Sequence, residues 1–570
     1  MSRKTPRLYE PIESLKEMYQ KAAEKNKDKV LFRYFGKDGK VDSITYRQFS
    51  AKVDRIAAGL DSLGLCGKRV ALIGNSSPDW IAVYLAVVST GGVIIPIDKE
   101  LLVDEISNFL NFAEADAFVF SRSFNKKIDA VSVNATAVSY FIPMEETEGY
   151  DFQNNEKAVL LSQLIEKGIE KLSDENYSLP ENNDKNKMSQ MLFTSGTTGT
   201  SKCVMLSENN ICACINSACE TVDFNPDDVI VSVLPLHHTY ELACDLASMN
   251  YGMEICFNDS LKKVMKNFAL FKPTGLILVP MFITTIYKKI WDEAKKSNKA
   301  SLLKRGIFVS SITRKVGLDI RRNLFREVIG VFGGRLTKIV CGGAPLDKEM
   351  VKAFEEFGIS IYEGYGITEC SPLISVNPYF KPKAGSVGPS VPSCSVKIDG
   401  NAVGESGYVT GEILVKGKNV MLGYYKNDEA TNEVFTSDGW FRTGDIGYLD
   451  DDGYIFITGR KKNVIVLSNG KNVFPEEIEE YLSKIDFICE SVVVGRKDPK
   501  TDDLLLTAII YPDYSKFDTD DMSVIADKVK KATLEINRTL PSFKHIRNIE
   551  IRKTEFEKTT TKKIKRYKYF

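Results

Sequence analysis

Residues 191–206 read MLFTSGTTGTSKCVML. Met191, Leu192 and Phe193 run into eight consecutive small or hydroxylated residues, Thr194, Ser195, Gly196, Thr197, Thr198, Gly199, Thr200 and Ser201, and then into Lys202. Such a loop turns tightly and offers backbone N–H groups and hydroxyls to an anion, and the lysine adds positive charge. Phosphate is the natural guest. The pattern is not Gly-Lys-Ser/Thr, the signature of the Walker A loop, because Lys202 follows Thr200-Ser201 and precedes Cys203. A solvated Ser/Thr/Gly linker is the alternative, but linkers rarely lie between two apolar strands and end on a lysine.

The apolar flanks, 191–193 and 204–206, predict two short buried strands that hold the loop between them. The chain that builds them has 570 residues, enough for two to four domains at about 150 residues each. Its 43% hydrophobic and 27% charged residues are ordinary for a globular protein. Lys+Arg and Asp+Glu are both 76, so no global field draws the molecule to nucleic acid or to an anionic membrane. Eleven scattered cysteines without a CxxC pair, and three histidines, argue against a zinc site. They point instead to reduced thiols in a cytoplasmic protein. The first twenty residues lack the apolar core of a secretory signal. Trp80 to Ile97 is interrupted by Ser89-Thr90-Gly91-Gly92. It falls short of the roughly 20 apolar residues a spanning helix needs, and predicts a buried helix, a turn and a strand.

Strand and helix signals alternate from residue 30 to residue 361, which predicts parallel sheets covered by helices. Residues 145–187 are polar and read as a surface excursion. A basic, partly apolar region from Lys304 to Arg326 reads as a solvated helical face. From about 384 to 457 glycines are frequent and strands short, which predicts a β-rich subdomain. After Arg460, Pro475-Glu476-Glu477 opens a helix with proline in its first turn and acids at its positive end. The expected architecture is therefore α/β: a large N-terminal domain of helix-covered sheets over 1–459, carrying the β-rich subdomain, and a small α+β C-terminal domain over 460–570.

Three further stretches stand in order with the loop: Tyr365-Gly366-Ile367-Thr368-Glu369, Gly439-Trp440-Phe441-Arg442-Thr443-Gly444-Asp445 and Gly459-Arg460-Lys461-Lys462-Asn463. Together they resemble the adenylate-forming superfamily of acyl-CoA synthetases, carrier-protein adenylation domains and luciferases, over nearly the whole chain. The resemblance implies that Thr194–Gly199 and Lys202 hold the phosphates of ATP. Glu369 would bind Mg2+ and Thr368 touch phosphate. Tyr365 would stack on adenine beside Gly366, Gly343 and Ala344, and Asp445 would accept the ribose hydroxyls with Arg460 assisting. Each of these residues alone has a structural explanation, as a core aromatic, a turn residue or a helix cap.

A carboxylate attacking the α-phosphate builds negative charge that a positioned cation offsets. The family places a lysine there, in a Pro-Lys-Thr-x-x-Gly-Lys motif. The matching text is Glu557-Lys558-Thr559-Thr560-Thr561-Lys562-Lys563, which assigns the catalytic role to Lys563. Glu557 replaces the proline and Lys562 the glycine, so Lys562 is a rival and a solvated basic tail the alternative. Lys462 matches the hinge about which the family's C-terminal domain rotates. The rotation would bring residues 468–473, with Gly470 and Lys471, to the thioester-forming half-reaction. The segment 459–479 resembles the long-chain fatty acyl-CoA branch. His238, Gly342 and the apolar helix 282–291 fall where the family binds the acyl chain.

The implied activity is ATP-dependent activation of a long-chain fatty acid to an acyl-adenylate, followed by transfer to coenzyme A with release of AMP and pyrophosphate. A ligase for a separate acyl carrier protein, a medium-chain or aryl acid ligase, and a non-catalytic acyl- or nucleotide-binding relative are the alternatives. The greasy substrate allows peripheral membrane contact, although no anchor is encoded.

Overall fold

The computed structural model describes residues 10–145, 158–194, 202–404, 406–467, 472–497, 504–558 and 564–570. Ser195, Gly196, Thr197, Thr198, Gly199, Gly470, Lys471, Lys562 and Lys563 lie outside the described residues.

Two large sheets dominate. One has eight strands, in the order Leu373–Val376, Ser360–Gly366, Lys338–Cys341, Gly275–Leu278, Val229–Ser232, Glu254–Phe257, Val30–Phe35 and Val41–Thr45. Its six inner strands are parallel and the strand at each edge is antiparallel. The other has seven strands and contains the two that flank the phosphate-loop segment, Met188–Thr194 and Lys202–Ser207. These two pair antiparallel, with Thr194 opposite Lys202, so the ends of the loop are pinned side by side.

The helix Pro78–Ser89 explains why residues 80–97 look almost membranous. Every residue in it except Asp79 is buried. A helix that is apolar all round belongs in a core. Its turn follows at Gly91, in the left-handed region at φ +76°, and then the buried strand Val93–Ile97. Among the described residues no helix is long and apolar enough to cross a membrane.

Cys394–Val403, Val409–Gly417, Phe441–Leu449 and Ile455–Arg460 form a four-stranded antiparallel sheet, the β-rich unit expected from the glycine content. After it, the helix Pro475–Ser483 and the helix Met522–Asn537 cover a three-stranded sheet with its own core, including Ile478, Leu482, Val493, Ile510 and Val529.

Two regions differ from the sequence reading. The polar stretch 145–187 contains a helix, Leu161–Leu172, with Leu161, Leu164 and Gly168 on its buried side. That stripe was masked by Glu and Lys on the outer side. The helix lies against Tyr46–Ser62 so closely that a Cβ on Gly168 would sit 1.8 Å from the Arg55 carbonyl oxygen. The basic region after residue 300 is also not a polar face: the helix Ala300–Lys315 turns Leu302, Phe308, Val309 and Ile312 outward.

Alanine in place of glycine at an exposed helical site stabilises by up to about 1 kcal/mol. At Gly168 the sign should reverse. Gly168→Ala is expected to lower the unfolding free energy by about 1–3 kcal/mol, because the two helix backbones must part. Denaturant unfolding of the variant checks this.

Candidate nucleotide-binding site

The strand Ser360–Gly366 runs into the short turn Thr368–Cys370 and so delivers Tyr365, Thr368 and Glu369 to one sheet edge. Asp445 lies in the middle of the strand Phe441–Leu449, directly opposite Arg460 in the antiparallel ladder. It is a buried strand residue, not a turn residue. Its carboxylate receives the Tyr365 hydroxyl at 2.6 Å on one oxygen and Arg460 Nε at 2.7 Å on the other. A carboxylate has about four acceptor directions, so further hydrogen bonds to a ligand remain open to it. Burial, then the neighbouring Asp445 charge, push the Tyr365 phenol well above its usual value, so it stays protonated and donates.

Glu369 is tied to Lys202 through a residue that sequence spacing did not single out. Tyr424 donates its hydroxyl to Glu369 Oε1 at 3.0 Å, and Lys202 Nζ lies 4.7 Å from the centre of the Tyr424 ring. Tyr424 reaches this position because Gly423–Tyr424 adds a two-residue strand to Lys202–Ser207, with Tyr424 opposite Val204. Its sequence signal is weak, an aromatic pair after a glycine. The backbone closes the same contact, as Met421 N–H donates to the Glu369 carbonyl at 2.8 Å. At the mouth of the loop segment, Thr194 Oγ1 donates to the Lys202 carbonyl at 3.2 Å.

Lys462 stands in the turn Lys461–Asn463, just past the Arg460 strand. Its side chain is exposed. Nonetheless desolvation by the surrounding protein, reinforced by the like charges of Arg460 and Lys202, pulls its pKa down to about 8, against the opposing pull of Asp445 and Glu369. Five charged groups from four separate stretches therefore share one field. The turn is held by its neighbours: Lys461 Nζ and Arg442 Nη1 both reach the buried Glu412 Oε2 at 2.9 Å, and Asn463 Nδ2 donates to Glu476 Oε1 at 2.6 Å.

Glu369 offers a hard carboxylate oxygen beside this cationic group. One such ligand together with phosphate oxygens is the usual way Mg2+ is held, so the residues fit that ion. Among the described residues no cluster of three or more His, Cys, Asp or Glu could hold a metal by itself.

The expected acyl-chain positions are more closely packed. His238 caps the helix Thr239–Tyr251, with its ring 4.2 Å from that of His237, whose Nε2 is 3.5 Å from Asp98 Oδ2. A Cβ on Gly342 would come within 3.3 Å of both the Tyr240 ring and the Gly364 carbonyl, so the space beside this glycine is filled by Tyr240. Gly343 is in the left-handed region at φ +85°. On the helix Pro280–Lys296, Ile283, Ile286 and Ile290 point into the core with Phe354 and Phe357; they are packing residues. Beneath this region the carboxyls of Glu241 and Asp245 share the Ser232 hydroxyl at 2.7 and 2.9 Å. Burial raises the pKa of both, and at Glu241 the neighbouring Asp245 charge raises it further.

Lys558 and Ile564 pair as an antiparallel bridge, Lys558 is ion-paired with Glu490, and Arg566 reaches Glu479 at 2.7 Å. The residues on both sides of 559–563 are thus fixed to the C-terminal unit.

A family model for AMP-binding enzymes matches residues 19–425, and one for the AMP-binding enzyme C-terminal domain matches 462–569. The chain belongs to the AMP-binding, adenylate-forming enzyme family. It is 29% identical over 483 residues to the long-chain-fatty-acid–CoA ligase FadD15 of Mycobacterium bovis, covering 81% of this chain and 77% of that protein. It is also 29% identical to the peroxisomal long chain acyl-CoA synthetase 7 of Arabidopsis thaliana, covering 81% and 68%. Its fold matches the adenylation domain of a carboxylate reductase from Mycobacterium chelonae with a TM-score of 0.81 at 20% identity, over 98% of this chain and 90% of that one. ATP-bound MatB from Rhodopseudomonas palustris superposes with a TM-score of 0.72 at 24% identity, over 97% of both chains.

An ordinary lysine is half neutral near pH 10.4, whereas the Lys462 amine reaches that point at about 8. Competitive acetylation at pH 8, read by mass spectrometry, should therefore find Lys462 among the fastest-reacting lysines. ATP should slow its reaction, because triphosphate charge favours the ammonium form. Unchanged labelling with saturating ATP would contradict the site.

Proposed function

We propose that this chain activates a long-chain fatty acid with ATP and passes the acyl group to coenzyme A. The observation that carries the reading is the convergence of Lys202, Glu369, Asp445, Arg460 and Lys462 through Tyr365 and Tyr424. A group of cations around two carboxylates suits a nucleoside triphosphate. The relatives named as long-chain-fatty-acid–CoA ligases favour the fatty acid as the second substrate.

In the first half-reaction a carboxylate oxygen attacks the α-phosphorus. The bond to the β-phosphate oxygen breaks, and pyrophosphate leaves. The loop 194–202 would hold the leaving phosphates, with Lys202 as their cation. Asp445 would accept from the ribose hydroxyls while Arg460 fixes its orientation, and the Tyr365 ring would present a face to adenine. Thr368 would touch phosphate. Mg2+, held by Glu369, would neutralise phosphate charge. Lys563 would offset the charge that develops between carboxylate and α-phosphate. In the second half-reaction a thiolate sulfur attacks the acyl carbon, the mixed anhydride breaks, and AMP leaves.

The second step needs the C-terminal unit to turn about Lys462, bringing Gly470 and Lys471 inward. Two of the contacts between the C-terminal unit and the rest of the chain are weak enough to suit such a turn. Lys484 to Asp347 at 3.4 Å and Lys516 to Asp292 at 3.8 Å are partly exposed pairs, and such pairs are worth only about 0–1 kcal/mol each.

Purified protein with ATP, Mg2+, coenzyme A and a panel of acids from acetate to stearate, with aryl acids included, is expected to release AMP fastest with the long chains. Lys563→Ala should slow acid-dependent pyrophosphate exchange by a factor on the order of a hundred or more, yet leave thioester formation from supplied acyl-adenylate intact. If Lys562→Ala gives that pattern instead, the motif register is shifted by one. Exchange without coenzyme A-dependent AMP release would move the acceptor to a carrier protein.

A further inference from the structure

The two proposed half-reactions differ in what the attacking group must lose. A carboxylate is already ionised at neutral pH and attacks without giving up a proton. A thiol, with an ordinary pKa of about 8.5, must lose its proton before the sulfur becomes a strong nucleophile. The chain has three histidines that could take that proton. His545 belongs to the C-terminal unit, where its Nε2 lies 3.0 Å from the Leu540 carbonyl oxygen. His237 and His238 follow the strand Val229–Ser232, with their rings 4.2 Å apart.

Val229–Ser232 runs parallel to Gly275–Leu278, Lys338–Cys341 and Ser360–Gly366. The turn that carries His237 lies over the carboxyl ends of these strands. Tyr240, three residues on, donates its hydroxyl to the Val340 carbonyl at 3.1 Å and stands against Gly342. Asp98 comes from the other large sheet. It follows the strand Val93–Ile97, which runs parallel to Met188–Thr194 and so ends on the same side as the phosphate-loop segment. His237 and Asp98 meet between the two sheets: His237 Nε2 is 3.5 Å from Asp98 Oδ2, and the side chains are 9% and 14% exposed. The carboxyl ends of parallel strands are where α/β folds take their ligands. The pair thus joins the Gly342 side of that cleft to the loop side, and no step described above uses it.

A carboxylate beside one ring nitrogen holds the proton on that nitrogen and leaves the other as the acceptor. Asp98 faces Nε2, so Nδ1 is the atom that receives a proton. Such hydrogen bonds are commonly long before substrate binds and tighten afterwards. The neighbouring charges are otherwise occupied. Lys99, next to Asp98, donates to Asn75 Oδ1 at 2.6 Å, and Glu241, at the foot of the histidine turn, accepts from Ser232 Oγ at 2.7 Å and Val233 N–H at 2.8 Å. We infer that His237 takes the proton of the attacking thiol and that Asp98 positions its ring, an inference that rests on the thioester-forming reaction proposed above. The S–H proton passes to Nδ1 as the sulfur bonds to the acyl carbon. The bond from that carbon to the phosphate oxygen breaks, AMP leaves with the electron pair, and the imidazolium returns its proton to solvent.

His237→Gln and Asp98→Asn keep the shape of the pair, and measuring the two half-reactions separately in the full chain tests it. Acid-dependent pyrophosphate exchange should persist in both variants. Thioester formation from supplied acyl-adenylate and coenzyme A should fall by roughly a hundredfold or more in His237→Gln, the usual worth of a general base, and by a smaller factor in Asp98→Asn. The pH profile separates proton transfer from packing. In the unaltered enzyme the thioester rate should level off below the thiol's own range, whereas in His237→Gln it should keep rising with pH through that range. Thioester formation that survives in His237→Gln, or that falls together with exchange and keeps its pH profile, would overturn the inference and leave the proposed function standing. An unaltered enzyme that shows neither acid-dependent exchange nor coenzyme A-dependent AMP release would overturn the proposed function, and the inference with it.

Discussion

Positive charge gathered before any ligand arrives is the constraint on which the site depends. Lys202, Arg460 and Lys462 share one field with two carboxylates, and the Lys462 pKa is depressed by desolvation first and by the Arg460 charge second. The fold bears this cost by fixing each group to a separate rigid element. Lys202 begins a strand, Arg460 ends another, and Asp445 is buried mid-strand with both oxygens engaged. A phosphate chain entering the cluster relieves the repulsion. In the proposed function the same charges would bind the nucleotide and stabilise its displacement, because they need no reorganisation when charge moves.

The tyrosines connect the parts. Tyr365 links the strand Ser360–Gly366 of the eight-stranded sheet to the β-rich unit through Asp445, and Tyr424 links Glu369 to the lysine that ends the phosphate-loop segment. A long-range hydroxyl bond of this kind fixes the spacing between sheets that otherwise have independent registers. It also means that the motif residues act as a unit, so a substitution at one disturbs its neighbours.

The alternating α/β architecture was legible in the sequence because buried parallel strands are short apolar runs closed by glycines, as at Val93–Ile97 and Lys338–Cys341. The loop segment, Glu369, Asp445 and Arg460 stood out as a candidate site only through their order along the chain and the family resemblance it carries, since each alone has a structural explanation. What could not be read was whatever depends on pairing across hundreds of residues. Tyr424 acquires its role only when Gly423–Tyr424 joins the strand that begins at Lys202. Likewise the apolar stripe of the helix after Pro280 reads equally well as pocket or core; the partners Phe354 and Phe357 decide for core. Net charge misled in a similar way. A total of zero conceals the segregation of ten basic residues into 295–326, and periodicity alone cannot say which apolar face of a two-faced helix is turned outward.

In the proposed reaction the nucleotide's α-phosphorus, not its terminal phosphate, is the reacting centre, and the isotope course of the reaction tests this most directly. Palmitate labelled with 18O in its carboxylate is incubated with the protein, ATP and coenzyme A, and the products are analysed by mass spectrometry. Attack at the α-phosphorus transfers one labelled oxygen to AMP and none to pyrophosphate. Label in inorganic phosphate or pyrophosphate, or unlabelled AMP formed together with the thioester, would contradict an acyl-adenylate and with it the assignment of the site.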